Sequence, residues 1–121
     1  MKSLNISIIA ILVLFLSACT KNTIEDLSSE NSLTITSPGL YFTPDTLIIN
    51  IGDTILFDLT ATHNAVEVSE DTYINNGTIS NEGFNIGYGE SKLFIADEQR
   101  VYYYVCQPHV TMGMKAIIIV L

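Results

Sequence analysis

The sequence predicts an all-β domain, a sandwich of about seven or eight short strands. After residue 32 the chain consists of short β-branched and apolar runs, separated by turn pairs such as Pro38-Gly39 and Gly52-Asp53. In the same part of the chain no stretch has the sustained 3.6-residue apolar spacing of an amphipathic helix. Short strands with frequent turn signals are typical of β-sandwiches and barrels.

Seven runs are predicted to be strands, and one long segment between them is predicted to be a loop. In the run Val101–Val105, alternation places Tyr102 and Tyr104 on one face and Tyr103 on the other. Ser69–Gly89 is rich in glycine and asparagine, so we expect a loop with at most one helical turn. The predicted strands are Leu33–Ser37, Thr46–Ile51, Thr54–Leu59, Ala65–Val68, Lys92–Ile95, Val101–Val105 and Lys115–Leu121.

The N-terminal segment has the features of an export signal. Leu4–Leu16 is almost entirely apolar, follows the single positive charge of Lys2, and is too short to span a bilayer comfortably. The sequence Leu16-Ser17-Ala18-Cys19 resembles the lipobox of bacterial lipoproteins. In that family the chain is cut before the cysteine, whose sulfur then carries a lipid anchor. The alternatives are an ordinary signal peptide or an N-terminal membrane helix, with Cys19 incidental.

The lipobox resemblance divides the chain into three segments. Residues 1–18 are expected to be the signal peptide, and residues 19–32 the lipidated cysteine and a tether. Thr20–Ser32 is polar without an apolar period, which is typical of a flexible linker. Residues 33–121 are expected to fold as one domain, a monomer lipid-anchored to a membrane of the bacterial cell envelope on its periplasmic or cell-surface side.

The charge balance excludes one class of partner. The chain has 13 acidic and 5 basic residues and a formal net charge of −8. Nucleic-acid binding is not expected, because there is no basic patch or surplus of Lys and Arg. An acidic surface favours encounter with a basic protein. The alternative interpretation is that the charge only keeps the protein soluble.

Metal-ligating residues are concentrated in one short stretch. Cys106, His109 and Met114 lie within nine residues between two predicted strands, and His63 is the only other histidine. If Cys19 is lipidated, Cys106 has no disulfide partner in the chain and ligation is the first role to test. Two His nitrogens, one Cys sulfur and a weak axial Met are the ligand set of blue-copper electron-transfer sites. Structural zinc sites usually gather four Cys or His ligands, which argues against zinc.

These motifs resemble those of the cupredoxins, in particular the plastocyanin, pseudoazurin and amicyanin branch. The resemblance rests on Cys106-x2-His109-x4-Met114, on His63-Asn64 and on the strand Val101–Val105 that leads into the cysteine. The run Gln107–Met114 is similar to the pseudoazurin ligand loop. The resemblance covers roughly residues 40–121 and implies a Greek-key β-sandwich that holds one copper ion.

The resemblance also implies roles for individual residues. His63, Cys106 and His109 would be the equatorial copper ligands, with His109 the more exposed imidazole and the electron port. Asn64 would hydrogen-bond to the ligand loop, and its backbone N–H would reach the Cys106 sulfur. Pro108 would remove an N–H that could otherwise point at the same sulfur.

The axial ligand has two candidates. Met114 fits the pseudoazurin and plastocyanin spacing, whereas Met112 fits the shorter amicyanin loop. Met114 is favoured because Gly113 gives the loop freedom to close back toward the metal. Met112 would then join an apolar patch around the edge of His109.

The implied function is one-electron transfer rather than catalysis. The expected partners are redox proteins such as c-type cytochromes or a copper-containing oxidase or reductase. An enzyme is not expected, because four protein ligands leave no open coordination position for a substrate. The alternative function is copper delivery or storage in the envelope with the same ligands.

Overall fold

The computed structural model describes residues 33–121, and the predicted signal peptide, lipidated cysteine and tether lie outside these residues. Residues 33–121 form nine β-strands, one short α-helix and one turn of 3-10 helix at Val110–Met112. The strands are β1 Leu33–Gly39, β2 Tyr41–Thr43, β3 Thr46–Ile49, β4 Thr54–Asp58, β5 Ala65–Val68, β6 Ser80–Ile86, β7 Ser91–Ile95, β8 Val101–Val105 and β9 Lys115–Val120, and the helix is α1 Glu70–Ile74.

The strands form two sheets that enclose one hydrophobic core. The four-stranded sheet has the order β2-β1-β4-β7, and the five-stranded sheet has the order β3-β9-β8-β5-β6. β1 pairs in parallel with β4, and β3 pairs in parallel with β9. The other strand pairs are antiparallel. The predicted all-β sandwich is therefore confirmed, with mixed sheets.

The core between the sheets is rich in aromatic side chains. Tyr102 and Tyr104 are almost fully buried in it, while Tyr103 lies on the opposite face of β8 against Tyr73, as the alternation predicted. Burying one large apolar side chain stabilises a fold by about 1.5–3 kcal/mol relative to exposure. Ring-centroid separations of 4.8–6.5 Å connect the aromatic residues Phe42, Phe57, Phe84, Phe94, Tyr102 and Tyr104.

The segment Ser69–Gly89 is more ordered than predicted. Its helical turn is α1, where the Ser69 hydroxyl accepts the Thr72 N–H as an N-cap. The loop prediction is wrong for Ser80–Ile86, which forms β6 and pairs with β5. β6 is an edge strand whose side chains are mostly exposed, so its sequence lacks the apolar alternation that identifies a half-buried strand. With β2, it raises the strand number from seven to nine.

The topology gives the sandwich two distinct ends. β1 runs parallel to β4, with Leu33 opposite Ile55 near the start of β4. The far end of β4 leads to the loop with His63, and the far end of β8 leads to Cys106. The candidate ligands therefore lie at one end of the sandwich, and the described chain begins at the other. Within residues 33–121 no helix is long and apolar enough to cross a membrane.

Candidate metal centre

His63 is held by the loop between β4 and β5. Its backbone N–H donates to the Thr60 carbonyl oxygen at 3.0 Å, which closes a turn just before the histidine. The turn is attached to β1, because the Thr60 N–H donates to the Ser37 hydroxyl at 3.0 Å and the Thr60 hydroxyl donates to the Ser37 carbonyl at 3.1 Å. The side chain of His63 is consequently buried at a fixed position above the core.

Cys106 and His109 belong to a tight loop that returns to the start of β9. The Cys106 N–H donates to the Met114 carbonyl oxygen at 3.0 Å, and the His109 N–H donates to the Cys106 carbonyl oxygen at 3.0 Å. Gly113 has φ +89°, a left-handed conformation that glycine adopts without strain, and it reverses the chain after the 3-10 turn. The loop thereby brings Met114 back beside Cys106.

The three candidate equatorial ligands converge on one point. The Nδ1 atoms of His63 and His109 are 3.1 Å apart, and the Cys106 Sγ lies 3.6 Å from the first and 3.4 Å from the second. A point equidistant from these three atoms is about 2 Å from each, which is close to typical metal–imidazole and metal–thiolate lengths. The two imidazole rings are tilted by 64° relative to each other rather than stacked.

The two methionines of this loop occupy different environments. Met114 is fully buried in the core cluster that also contains Cys106, whereas the side chain of Met112 is 60 % exposed. Only Met114 is thus placed on the inner side of the ligand loop. Met112 lies on the surface, in the 3-10 turn that follows His109.

The protonation states of the site follow from burial. Burial, and then the positive charge of neighbouring His109, lower the pKa of His63, so its neutral, metal-binding form is favoured. Burial raises the pKa of the Cys106 thiol, and the backbone N–H groups of Asn64 and His109 offset part of that rise. Metal binding requires the thiolate form of Cys106 and should therefore release a proton.

Asn64 connects the two ligand-bearing segments. Its Oδ1 accepts the Gln107 backbone N–H at 2.9 Å, and its Nδ2 donates to Gln107 Oε1 at 3.0 Å. The hydrogen bond to the ligand loop implied by the resemblance is present. Pro108 lies exposed between Cys106 and His109. The predicted effect of Pro108 on the sulfur stays a prediction.

The side chain of Gln107 is a participant that the sequence interpretation missed. Besides contacting Asn64, it donates from Nε2 to the Thr78 carbonyl oxygen at 2.9 Å. The sequence offered one signal, namely a long amide directly after the candidate ligand Cys106. Nothing in the local pattern pointed to Thr78, which is 29 residues away and belongs to the segment predicted to be an irregular loop.

The donor set fits a copper ion better than other biological metals. Within residues 33–121, one group of His, Cys, Asp or Glu side chains is arranged to hold a metal ion, namely His63, Cys106 and His109. Two imidazoles, one thiolate and a buried thioether match the mixed ligands of mononuclear blue-copper sites. Closed structural zinc sites use four Cys, His or carboxylate ligands, and a thioether is a poor substitute.

Comparison with protein families is consistent with this assignment. Residues 29–121 match the family model described as copper binding proteins, plastocyanin/azurin family. No curated protein matches the sequence.

Solved structures with a similar fold include a pseudoazurin, an amicyanin and a purple cupredoxin. A pseudoazurin from Methylobacterium extorquens AM1 is 24% identical, with a TM-score of 0.55 and coverage of 73% of both chains. An amicyanin from Paracoccus versutus is 17% identical, with a TM-score of 0.56 and coverage of 76% of this chain and 83% of that one. A purple cupredoxin from Nitrosopumilus maritimus is 21% identical, with a TM-score of 0.54 and coverage of 73% and 98%. At these identities the structures show that the fold is shared.

Proposed function

The chain belongs to the plastocyanin/azurin family of copper-binding proteins and has one copper site within residues 33–121, and from this premise we propose that it carries single electrons between other redox proteins. We assign His63, Cys106 and His109 as the equatorial ligands and Met114 as the axial ligand. The observation that supports this assignment most directly is the triangle of two Nδ1 atoms and one Sγ with sides of 3.1, 3.4 and 3.6 Å.

The protein's own residues suit electron transfer because they resist rearrangement. When bound, copper supplies the Cu(II)/Cu(I) couple. The ligand loop is closed by backbone hydrogen bonds from Cys106 and His109, and His63 is fixed through Thr60 to β1. A site held in this way changes little when its charge changes, which lowers the reorganisation that accompanies each electron. His109 is the more exposed imidazole and is the proposed point of electron entry and exit.

The proposed partners are proteins rather than small substrates. The ligand set leaves no open position for substrate binding, so the protein acts as a carrier and not as an enzyme. The net charge of −8 favours partners with a basic docking face, such as a c-type cytochrome or a copper-containing oxidase or reductase. Electron exchange with such a partner should therefore slow as ionic strength rises.

We also propose that the domain is held at a membrane through a lipid on Cys19. The first described residue, Leu33, lies at the end of the sandwich opposite the ligand loops. A tether attached there leaves the copper end free to meet partners in the bacterial envelope. A span of 13 residues, Thr20–Ser32, reaches roughly 20 Å as a random coil, which permits reorientation of the domain.

The decisive experiment uses the full chain, purified in detergent and titrated with Cu(II). We expect an intense visible thiolate-to-copper band and the narrow copper hyperfine splitting of a blue site in the EPR spectrum. Ascorbate should bleach the band and an oxidant should restore it over many cycles. Cys106→Ser should abolish the band. Weak, colourless copper binding by the wild-type protein would refute the assignment.

The second cysteine provides a matched control. Cys19→Ser should keep the visible band, because Cys19 is not a proposed ligand, but mass spectrometry should show that it lacks the lipid mass carried by the wild-type protein. If the purified wild-type protein carries no lipid mass on Cys19, the lipid anchor is wrong and the copper assignment is untouched. Rapid surrender of Cu(I) to an acceptor protein, without electron exchange with cytochromes, would instead support copper delivery.

A further inference from the structure

The side chain of Gln107 joins three segments that are distant in sequence. Its Oε1 accepts a hydrogen bond from Asn64 Nδ2 at 3.0 Å, and its Nε2 donates to the Thr78 carbonyl oxygen at 2.9 Å. Asn64 directly follows His63, and Gln107 directly follows Cys106. The bridge therefore connects the residues next to two of the proposed ligands with a third segment, between α1 and β6.

The directions of these hydrogen bonds are mutually determined. The Gln107 backbone N–H occupies Asn64 Oδ1 at 2.9 Å, so the amide nitrogen of Asn64 must face Gln107 Oε1. Gln107 then turns its own Nε2 outward to the Thr78 carbonyl. A side chain at 107 must supply an acceptor at one terminal atom and a donor at the other. Glutamate lacks the donor, a hydroxyl is too short to reach both partners, and asparagine is shorter by one methylene.

The bridge affects the positions of the ligands and not only the stability of the loop. Asn64 is buried and lies between β5 and the His63 loop, and its backbone N–H is directed at the Cys106 sulfur. A change in the Asn64 amide would thus alter both the orientation of His63 and the polarity around Sγ. Thr78 lies on an exposed segment, and the hydrogen bond from Gln107 attaches this segment to the ligand loop.

We propose that Gln107 is a positioning residue of the copper centre: by bridging Asn64 and the Thr78 carbonyl, it keeps His63 and Cys106 at the spacing that copper needs before the metal arrives. This inference rests on the proposed function, because it takes His63 and Cys106 as ligands. Outer partners of metal ligands that fix their orientation typically contribute 10–100-fold to metal affinity. Loss of the bridge should act on copper affinity and on the electronic structure of the site.

The test compares Gln107→Met with Gln99→Met in the full chain. Methionine has nearly the length of glutamine but can make neither hydrogen bond. Gln99 is exposed and lies just before β8, at the end of the sandwich opposite the ligand loops, so it controls for the same chemical change. We expect Gln107→Met to lose at least about 10-fold in copper affinity and to change the copper hyperfine splitting and the reduction potential. Gln99→Met should match the wild type in all three.

A measurement on the metal-free protein separates positioning from folding. In apo wild-type protein, the NMR resonances of the His63 and His109 rings should be single and sharp, whereas in apo Gln107→Met they should broaden or double. The thermal unfolding midpoints of apo wild-type protein and apo Gln107→Met should be similar. A second variant, Gln107→Asn, keeps an amide that cannot span both partners and should reproduce the loss of affinity if Gln107→Met does not fold.

Two results would overturn the inference. Wild-type affinity, spectrum and ring resonances in Gln107→Met or Gln107→Asn would show that the bridge does not position the ligands. A loss of affinity that only parallels a loss of apo-protein stability would show a structural role alone. Neither result bears on the copper assignment, which fails instead if the wild-type protein itself shows no thiolate-to-copper band.

Discussion

Arg100 donates a hydrogen bond of 2.7 Å from Nη1 to Oε1 of Glu67, a carboxylate whose side chain is only 2 % exposed. Glu67 points inward from β5, opposite Tyr104 of β8. The Glu67 carboxylate also accepts hydrogen bonds from Asn81 Nδ2 and from the Phe84 backbone N–H, both at 3.0 Å. A buried negative charge is thus compensated by one cation and two neutral donors.

The partners of Arg100 permit a matched comparison of a buried and an exposed ion pair. Arg100 also contacts Glu98 at 3.0 Å, but the Glu98 side chain is 65 % exposed. We expect Glu67→Gln to lower the free energy of unfolding by about 1.5–3 kcal/mol, because it leaves charged or buried donors without a charged acceptor. Glu98→Gln should cost less than about 0.5 kcal/mol, since water replaces the exposed contact. Urea denaturation of the copper-free proteins measures both, and equal losses would contradict this account.

The carboxylate of Glu67 leaves no room for a side chain at Gly83. A Cβ at residue 83 would overlap Glu67 Oε2 and also press against the side chain of Asn81. We expect Gly83→Ala to lower the free energy of unfolding by about 1–3 kcal/mol, the usual cost of overpacking. Gly87→Ala is the control, because its Cβ would meet only the flexible end of exposed Glu90. The cost of Gly83→Ala should shrink in a Glu67→Ala background, and strict additivity of the two losses would argue against direct contact.

Tyr104 carries a polar group that the fold does not satisfy. Among residues 33–121 its buried hydroxyl has no hydrogen-bond partner. Removing an unsatisfied buried hydroxyl is expected to be neutral or to stabilise the fold, by up to about 1 kcal/mol. Tyr104→Phe should therefore unfold at the same or a higher urea concentration than the wild type. A clear destabilisation would contradict this account of the Tyr104 hydroxyl.

Alkaline pH should weaken the fold through the same residue. Burial, followed by the nearby charges of Tyr73 and Asp45, raises the pKa of Tyr104 above its ordinary value of about 10. The unfolded chain then releases this proton at lower pH than the folded protein. Stability is accordingly intact below about pH 10 and falls above it, by up to about 1.4 kcal/mol per pH unit. Urea denaturation between about pH 9 and 11 should show a shallower decline in Tyr104→Phe, and an identical decline would exclude Tyr104 as the cause.

The candidate site could be predicted because most of its proposed ligands lie close together in the sequence. Cys106, His109 and Met114 lie in one loop, and the chain has only one other histidine. A strand that enters the loop and a glycine that reverses it are also local signals. The all-β fold was predictable for a similar reason, since turn pairs and alternation within short runs are local features.

The features that the sequence interpretation missed depend on contacts across long sequence separations. The burial of Glu67 is one such feature, because all of β5 is buried and Glu67 lies inward. The charge is tolerated there because Arg100 reaches it from 33 residues away. β6 was missed since an edge strand can be polar on both faces. The hydrogen bond from Gln107 to Thr78 could not be predicted either, because its acceptor is a backbone carbonyl, which every residue has.

Substituting each of the two candidate methionines separately tests which one is the axial copper ligand. Met114 is fully buried beside Cys106, whereas Met112 is largely exposed in the 3-10 turn. The axial ligand tunes the potential of a blue-copper site, so Met114→Leu should shift the reduction potential substantially. We expect a shift of at least about 59 mV, a tenfold change in the one-electron equilibrium constant. Met112→Leu makes the same chemical change two residues away and should leave the potential and the EPR spectrum unchanged. Protein-film voltammetry of the two copper-loaded variants measures both shifts, and a larger effect of Met112→Leu would move the axial assignment to Met112.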